Sequence, residues 1–154
     1  MKIGEILDER IIAVNLVAEN KDQAITLLSK KLKDAGYIND VNNFKKDIYD
    51  REAQGPTGIG NYIAIPHGQS ESVTNIGIAI GKFQNEIKWE TLDDNGVKVV
   101  CLFAVNQDRE SADNHLLLLS EFATKLGNDS AVDALLDAKS VQEIKDVFLK
   151  EEYV

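Results

Sequence analysis

Two histidines occur among the 154 residues, and one of them, His67, closes an apolar run that reads Ile63-Ala64-Ile65-Pro66-His67-Gly68. Proline fixes its own φ and biases Ile65 toward an extended conformation, so the backbone that delivers His67 is stiff. The run reads as a short strand, Tyr62–Pro66, that Pro66 terminates because proline cannot donate to a sheet ladder. Gly68 leaves room for a close approach just after the ring. An imidazole titrates near pH 6.5, so around neutrality one ring nitrogen is free as a base, a nucleophile or a metal ligand. A histidine at a strand end is also commonly a hydrogen-bonded structural residue, and residue type alone leaves all four readings open.

Other chemistries find less support. Zinc requires at least three side-chain ligands, and the second histidine, His115, has no HExxH spacing. Serine hydrolysis lacks a GxSxG elbow. The segment Gly55-Pro56-Thr57-Gly58-Ile59-Gly60-Asn61 matches neither GxGxxG nor a Walker loop, since no Gly-Lys-Ser/Thr follows, so nucleotide binding is not indicated. It reads as a loop whose glycines let the backbone approach His67, with Thr57 and Asn61 as candidate polar contacts beside it. Cys101 is the single cysteine; it excludes an internal disulfide and multi-cysteine metal sites, and inside an apolar run it reads as core. A nucleophilic histidine needs no such motif, only a positioned ring and a charged neighbour.

The net charge of −9 argues against a nucleic-acid or anionic-membrane surface, either of which calls for a basic face. No basic stretch with an apolar segment opens the chain, and no apolar run approaches the length of a membrane span. The expectation is one soluble, cytoplasmic domain over residues 1–154.

The elements that position His67 follow from periodicity. Strands are expected at Ile11–Ala18, Asn75–Phe83 and Val97–Val105, the last apolar enough to be buried on both faces. A helix follows Asn20 as N-cap and stops at Gly36; a second covers Val41–Glu52. The last third is helical: Ser111–Gly127 with Ser111 as cap, then Ser130–Ala138 and Ser140–Lys150, where Ser140 and Glu143 form a capping box. This order implies an α/β fold bordering on α+β, a mixed β-sheet flanked by helices on both faces.

The stretch from Glu52 to Gly68 resembles the active-site signature of the fructose/mannitol-type enzyme IIA of the bacterial phosphotransferase system. An acidic residue, Glu52, is followed after six residues by Ile59-Gly60, then two residues, then Ile63-Ala64-Ile65-Pro66-His67-Gly68. The likeness extends through IKWETLDDNGVKVVCLFAV, HLLLLSEFA and AKSVQEI. It implies that His67 is phosphorylated, on Nε2, by the phosphohistidine of the carrier HPr, and passes the group to a cysteine of enzyme IIB. It implies that Arg51, sixteen residues before His67, stabilises phosphoryl charge, and that His115 contacts the phosphoryl group or orients the His67 ring. No cofactor and no metal is implied, and membrane association would be indirect, through IIB and IIC. Fructose is the first sugar to consider. The alternative is a nitrogen-regulatory IIA paralogue that binds and regulates target proteins. Tyr62 departs from the small residue common in the family, at a position read here as unconstrained.

Overall fold

In a computed structural model the protein is described over residues 3–108 and 112–150. Helix α1 (Ile3–Ile6) and a single 3-10 turn (Glu9–Ile11) lead into β1 (Ile12–Leu16). Helices α2 (Lys21–Asp34) and α3 (Val41–Glu52) follow, then three short strands, β2 (Gly58–Gly60), β3 (Ile63–Ala64) and β4 (His67–Gln69). Long strands β5 (Gly77–Ile87) and β6 (Val97–Val105) precede α4 (Ala112–Leu126), α5 (Asp129–Asp137) and α6 (Val141–Leu149).

One mixed sheet runs in the order β1-β5-β6-β3-β2, with β4 also on β6. The β1/β5, β3/β6 and β4/β6 pairs are parallel; β5/β6 and β2/β3 are antiparallel. Helices cover both faces, as expected. Along β6, Val99, Cys101, Phe103 and Val105 face a core built with α1, α4, α5 and α6, while Val100, Leu102 and Ala104 face α2 and α3. This two-sided burial explains the unbroken apolar run of β6. Each large aliphatic side chain so buried contributes roughly 1.5–3 kcal/mol, which makes the two cores, and not polar contacts, the main fixers of the sheet ends.

The helix starts follow the sequence closely. Asn20, Asp40 and Ser140 each accept a backbone N–H three residues on, and Glu143 accepts the N–H of Lys139 at 2.7 Å, next to the expected box. Gly36 takes φ 84° after α2. The fifth helix starts one residue early, capped by Asn128; the cap expected at Ser111 lies outside the described residues.

The strands differ from the expected ones at three places. Pro66 does not end the run: Ile63 lies opposite Val99 and His67 opposite Phe103 at one unchanged offset, so β3 and β4 form a single track interrupted at Ile65-Pro66. The proline carbonyl still serves the ladder, accepting the Phe103 N–H at 2.9 Å. The glycine-rich segment is not all loop, because β2 pairs back on β3. Strand β5 runs on to Ile87 through a register shift after Lys82. Gln84 and Asn85 tie that bulged stretch to the carbonyls of Asn15 and Ala18, so strict alternation is lost there.

Candidate active site

The chain enters the site region through the β2/β3 hairpin. Its two-residue turn is Asn61-Tyr62, at φ 57° and 66°, which is the backbone of a type I′ turn. Tyr62 is therefore constrained, contrary to the sequence reading. A glycine would enter this left-handed region without steric cost; here Lys98 lies 4.7 Å over the Tyr62 ring. The Asp93 carboxylate accepts the Asn61 N–H at 3.0 Å and pins the turn.

Past the hairpin, the alternation of β3 and β4 sends Ile63, Ile65 and His67 toward the α4 side and Ala64 toward α2 and α3. Gly68 has a specific reason to be glycine. A Cβ there would sit 2.2 Å from Cε1 of Phe44, so the close approach foreseen after His67 is that of α3. That contact draws the polar stripe of α3 to the edge of β4. Asp47, Asp50 and Arg51, spaced i, i+3, i+4 on one side of α3, and Gln54 in the turn that follows it line a cavity of about 480 Å³ together with His67, Gln69, Phe103, Val105, His115, Leu116 and Leu119.

All three residues singled out from the sequence thus meet in one cavity. His67 is half-buried, its ring 6.4 Å from that of Phe103. Its Nδ1 is buried with no hydrogen-bond partner among the described residues. Burial lowers its pKa, the Arg51 guanidinium lowers it further, and the Glu52 carboxylate opposes both. The ring is accordingly neutral at pH 7, with a lone pair to offer. Arg51 donates from Nη1 to the Gly55 carbonyl at 3.2 Å, and among the described residues no carboxylate forms an ion pair with it. His115 is buried in the first turn of α4, its Nε2 without a partner among the described residues; burial lowers its pKa and Asp108 opposes the shift. A neutral imidazole beside an unpaired guanidinium, in a cavity with an apolar rim, is equipped to accept an anionic group.

Two sequence-based candidates do not reach the cavity. Thr57 is buried and donates its hydroxyl to Glu52, while Asn61 is engaged in the hairpin turn. Asp47, Asp50 and Gln54 are not among the residues the sequence singled out; only Asp47, four residues before Arg51 in the expected helix, carries a spacing that points to the same side.

Residues 5–151 match the family described as the phosphoenolpyruvate-dependent sugar phosphotransferase system, EIIA 2, and the chain belongs to that family. It is 36% identical over 148 residues to the fructose-specific EIIABC component of Bacillus subtilis, covering 96% of this chain but only 23% of that relative. It is 34% identical over 149 residues to the mannitol-specific phosphotransferase enzyme IIA component of Staphylococcus aureus, covering 95% of this chain and 96% of the relative. The fold is that of the nitrogen regulatory protein IIA-Ntr of Neisseria meningitidis (TM-score 0.86, 23% identity, 95% and 98% covered). It is also that of IIA mannitol of Escherichia coli solved in complex with phosphorylated IIB mannitol (TM-score 0.77, 21% identity, 93% and 96% covered). Among the described residues no helix is long and apolar enough to cross a membrane.

Proposed function

We propose that this chain is the phosphocarrier IIA unit of a sugar phosphotransferase system, acting in the cytoplasm, with His67 as its phosphorylated nucleophile. The observation that carries this reading is the convergence of His67, Arg51 and His115 on one cavity. With Nδ1 buried, Nε2 is the nitrogen left to attack. Its lone pair forms a bond to the phosphorus of phosphohistidine on HPr, the P–N bond of the donor breaks, and the donor ring, protonated on its other nitrogen, leaves as a neutral imidazole while His67 keeps its Nδ1 proton. In the second half-reaction a cysteine thiolate of IIB forms a P–S bond and His67 recovers its lone pair. Arg51 offsets the charge spread over the equatorial oxygens, and His115 holds the phosphoryl group or the His67 ring. Leu116 and Leu117, 64% and 63% exposed beside His115, give HPr and IIB a shared apolar rim on which to dock.

The sugar-specific components at 34% and 36% identity favour transport over nitrogen regulation, and fructose comes first on the more similar of the two. The test is transfer. The chain, charged with phosphoenolpyruvate, enzyme I and HPr, loses its phosphoryl group on adding a fructose-type IIB, and IIB gains it. A charged chain that keeps its group in the presence of several sugar-type IIB domains contradicts the transport reading and supports regulation.

A further inference from the structure

The last two residues of α3 part company. Arg51 turns to the His67 cavity, while Glu52 turns to the reverse side of the following turn, where Lys21, Tyr49, Gly55, Pro56 and Glu90 line a separate hollow. The Glu52 side chain is only 7% exposed. A carboxylate so buried is costly unless it is paired and hydrogen-bonded, and both conditions are met. One oxygen, Oε1, accepts the Thr57 hydroxyl. The other, Oε2, lies 3.2 Å from Lys21 Nζ, a lysine that also pairs with Glu90 at 2.9 Å and lies 5.0 Å over the ring of Trp89.

The consequence for the site runs through the backbone. Thr57 offers its carbonyl to the Ile65 N–H at 2.9 Å, two residues before His67. Between Glu52 and Thr57 lies Gly55, at φ 153°, whose carbonyl is the acceptor for Arg51. One carboxylate therefore fixes both ends of the segment that sets where the guanidinium sits relative to the imidazole. Resting on the phosphocarrier reading above, we propose that Glu52 is a positioning residue for phosphoryl transfer, a clamp that acts through Thr57 and Gly55 on Arg51. The same carboxylate also counters Arg51 at the His67 ring; the other ionisable groups around that ring are Asp47 and Asp50 on α3 and His115 on α4.

A clamp on Arg51 is separable from a general loss of structure, because its effect must vanish when Arg51 is gone. Rates of phosphoryl uptake from phosphorylated HPr are expected to fall about tenfold in Glu52→Ala, since misplacing a catalytic group by a fraction of an ångström is costly. Glu52→Gln, whose amide oxygen still accepts from Thr57, stays within about threefold. In an Arg51→Ala background, Glu52→Ala costs less than about twofold more. A wild-type rate in Glu52→Ala, or the full loss persisting on Arg51→Ala, overturns the clamp. If Glu52→Ala does not fold, Thr57→Val takes its place with the same expectations. A wild-type chain that takes up no phosphoryl group sinks the phosphocarrier reading instead. The clamp is then read in the unphosphorylated protein from the Arg51 Nε–H resonance: it shifts in Glu52→Ala or Thr57→Val but not in Glu52→Gln, and an unmoved signal in the first two rejects the clamp.

Discussion

Two intrinsically nucleophilic side chains lie on adjacent strand tracks of the same sheet, facing the same side. Cys101 is on β6, two residues before Phe103, and His67 is on β4 directly opposite Phe103. A thiolate is the stronger nucleophile in principle, yet Cys101 is fully buried and burial drives its thiol pKa far above the usual range. His67, one register step nearer the strand end, is half-buried, has Arg51 beside it and opens on a cavity. The same desolvation has opposite consequences in the two places. It keeps the thiol protonated, and it keeps the imidazole deprotonated with its lone pair free. Position along the sheet, more than residue chemistry, selects which group can react.

Four outcomes would sharpen or break that contrast, in descending size. Arg51→Ala should slow phosphoryl uptake about a hundredfold, since an arginine on a transferring phosphoryl group acts chiefly in the transition state; stopped-flow or quench-flow rates with phosphorylated HPr would read it, and a loss under threefold would detach Arg51 from the chemistry. Gly68→Ala should destabilise the fold by about 1–3 kcal/mol through overpacking on Phe44, measured by urea denaturation. Adding Phe44→Leu should recover part of that loss; no recovery would mean that the Phe44 contact is not what requires glycine.

The third concerns pH. His67 and His115 both have folded pKa values below the unfolded value of about 6.5. Below that value the unfolded chain takes up protons that the folded rings resist. Stability is therefore full above pH 6.5 or so, falls as pH drops toward the folded values, and levels off beneath them. The melting temperature should decline as pH falls below about 6.5, and decline less in His67→Gln; an equal decline would place the titration elsewhere. The smallest effect on chemistry belongs to Cys101→Ala, which should cost about 1–2 kcal/mol of stability while leaving uptake rates within twofold or so. A large rate loss in a folded Cys101→Ala would undo the distinction between the two nucleophiles.

Much of this arrangement was legible in the residues. Caps at Asn20 and Ser140 are local hydrogen-bonding choices, and the apolar continuity of β6 reports burial on both faces, so helices and central strands could be placed from the chain alone. The short strands around His67 could not. Pro66 looks like a terminator because its missing N–H is a local fact, whereas continuation of the track depends on β6 supplying the register beyond it. The pairing of Gly58–Gly60 was hidden by glycine composition, and the constraint on Tyr62 by the absence of any local sign that the turn is left-handed. At the site, the types and spacing of Arg51 and His67 pointed to phosphoryl chemistry through family likeness. The opposite orientations of Arg51 and Glu52, and the ring that fills the space at Gly68, arise only when α3 packs on β4.

The most direct test of the central claim is an intact-mass spectrum of the wild type and of His67→Ala after incubation with phosphoenolpyruvate, enzyme I and HPr. One acid-labile phosphoryl group is expected on the wild type and none on a folded His67→Ala. No added mass on the folded wild type, or the same gain in both, would contradict that claim.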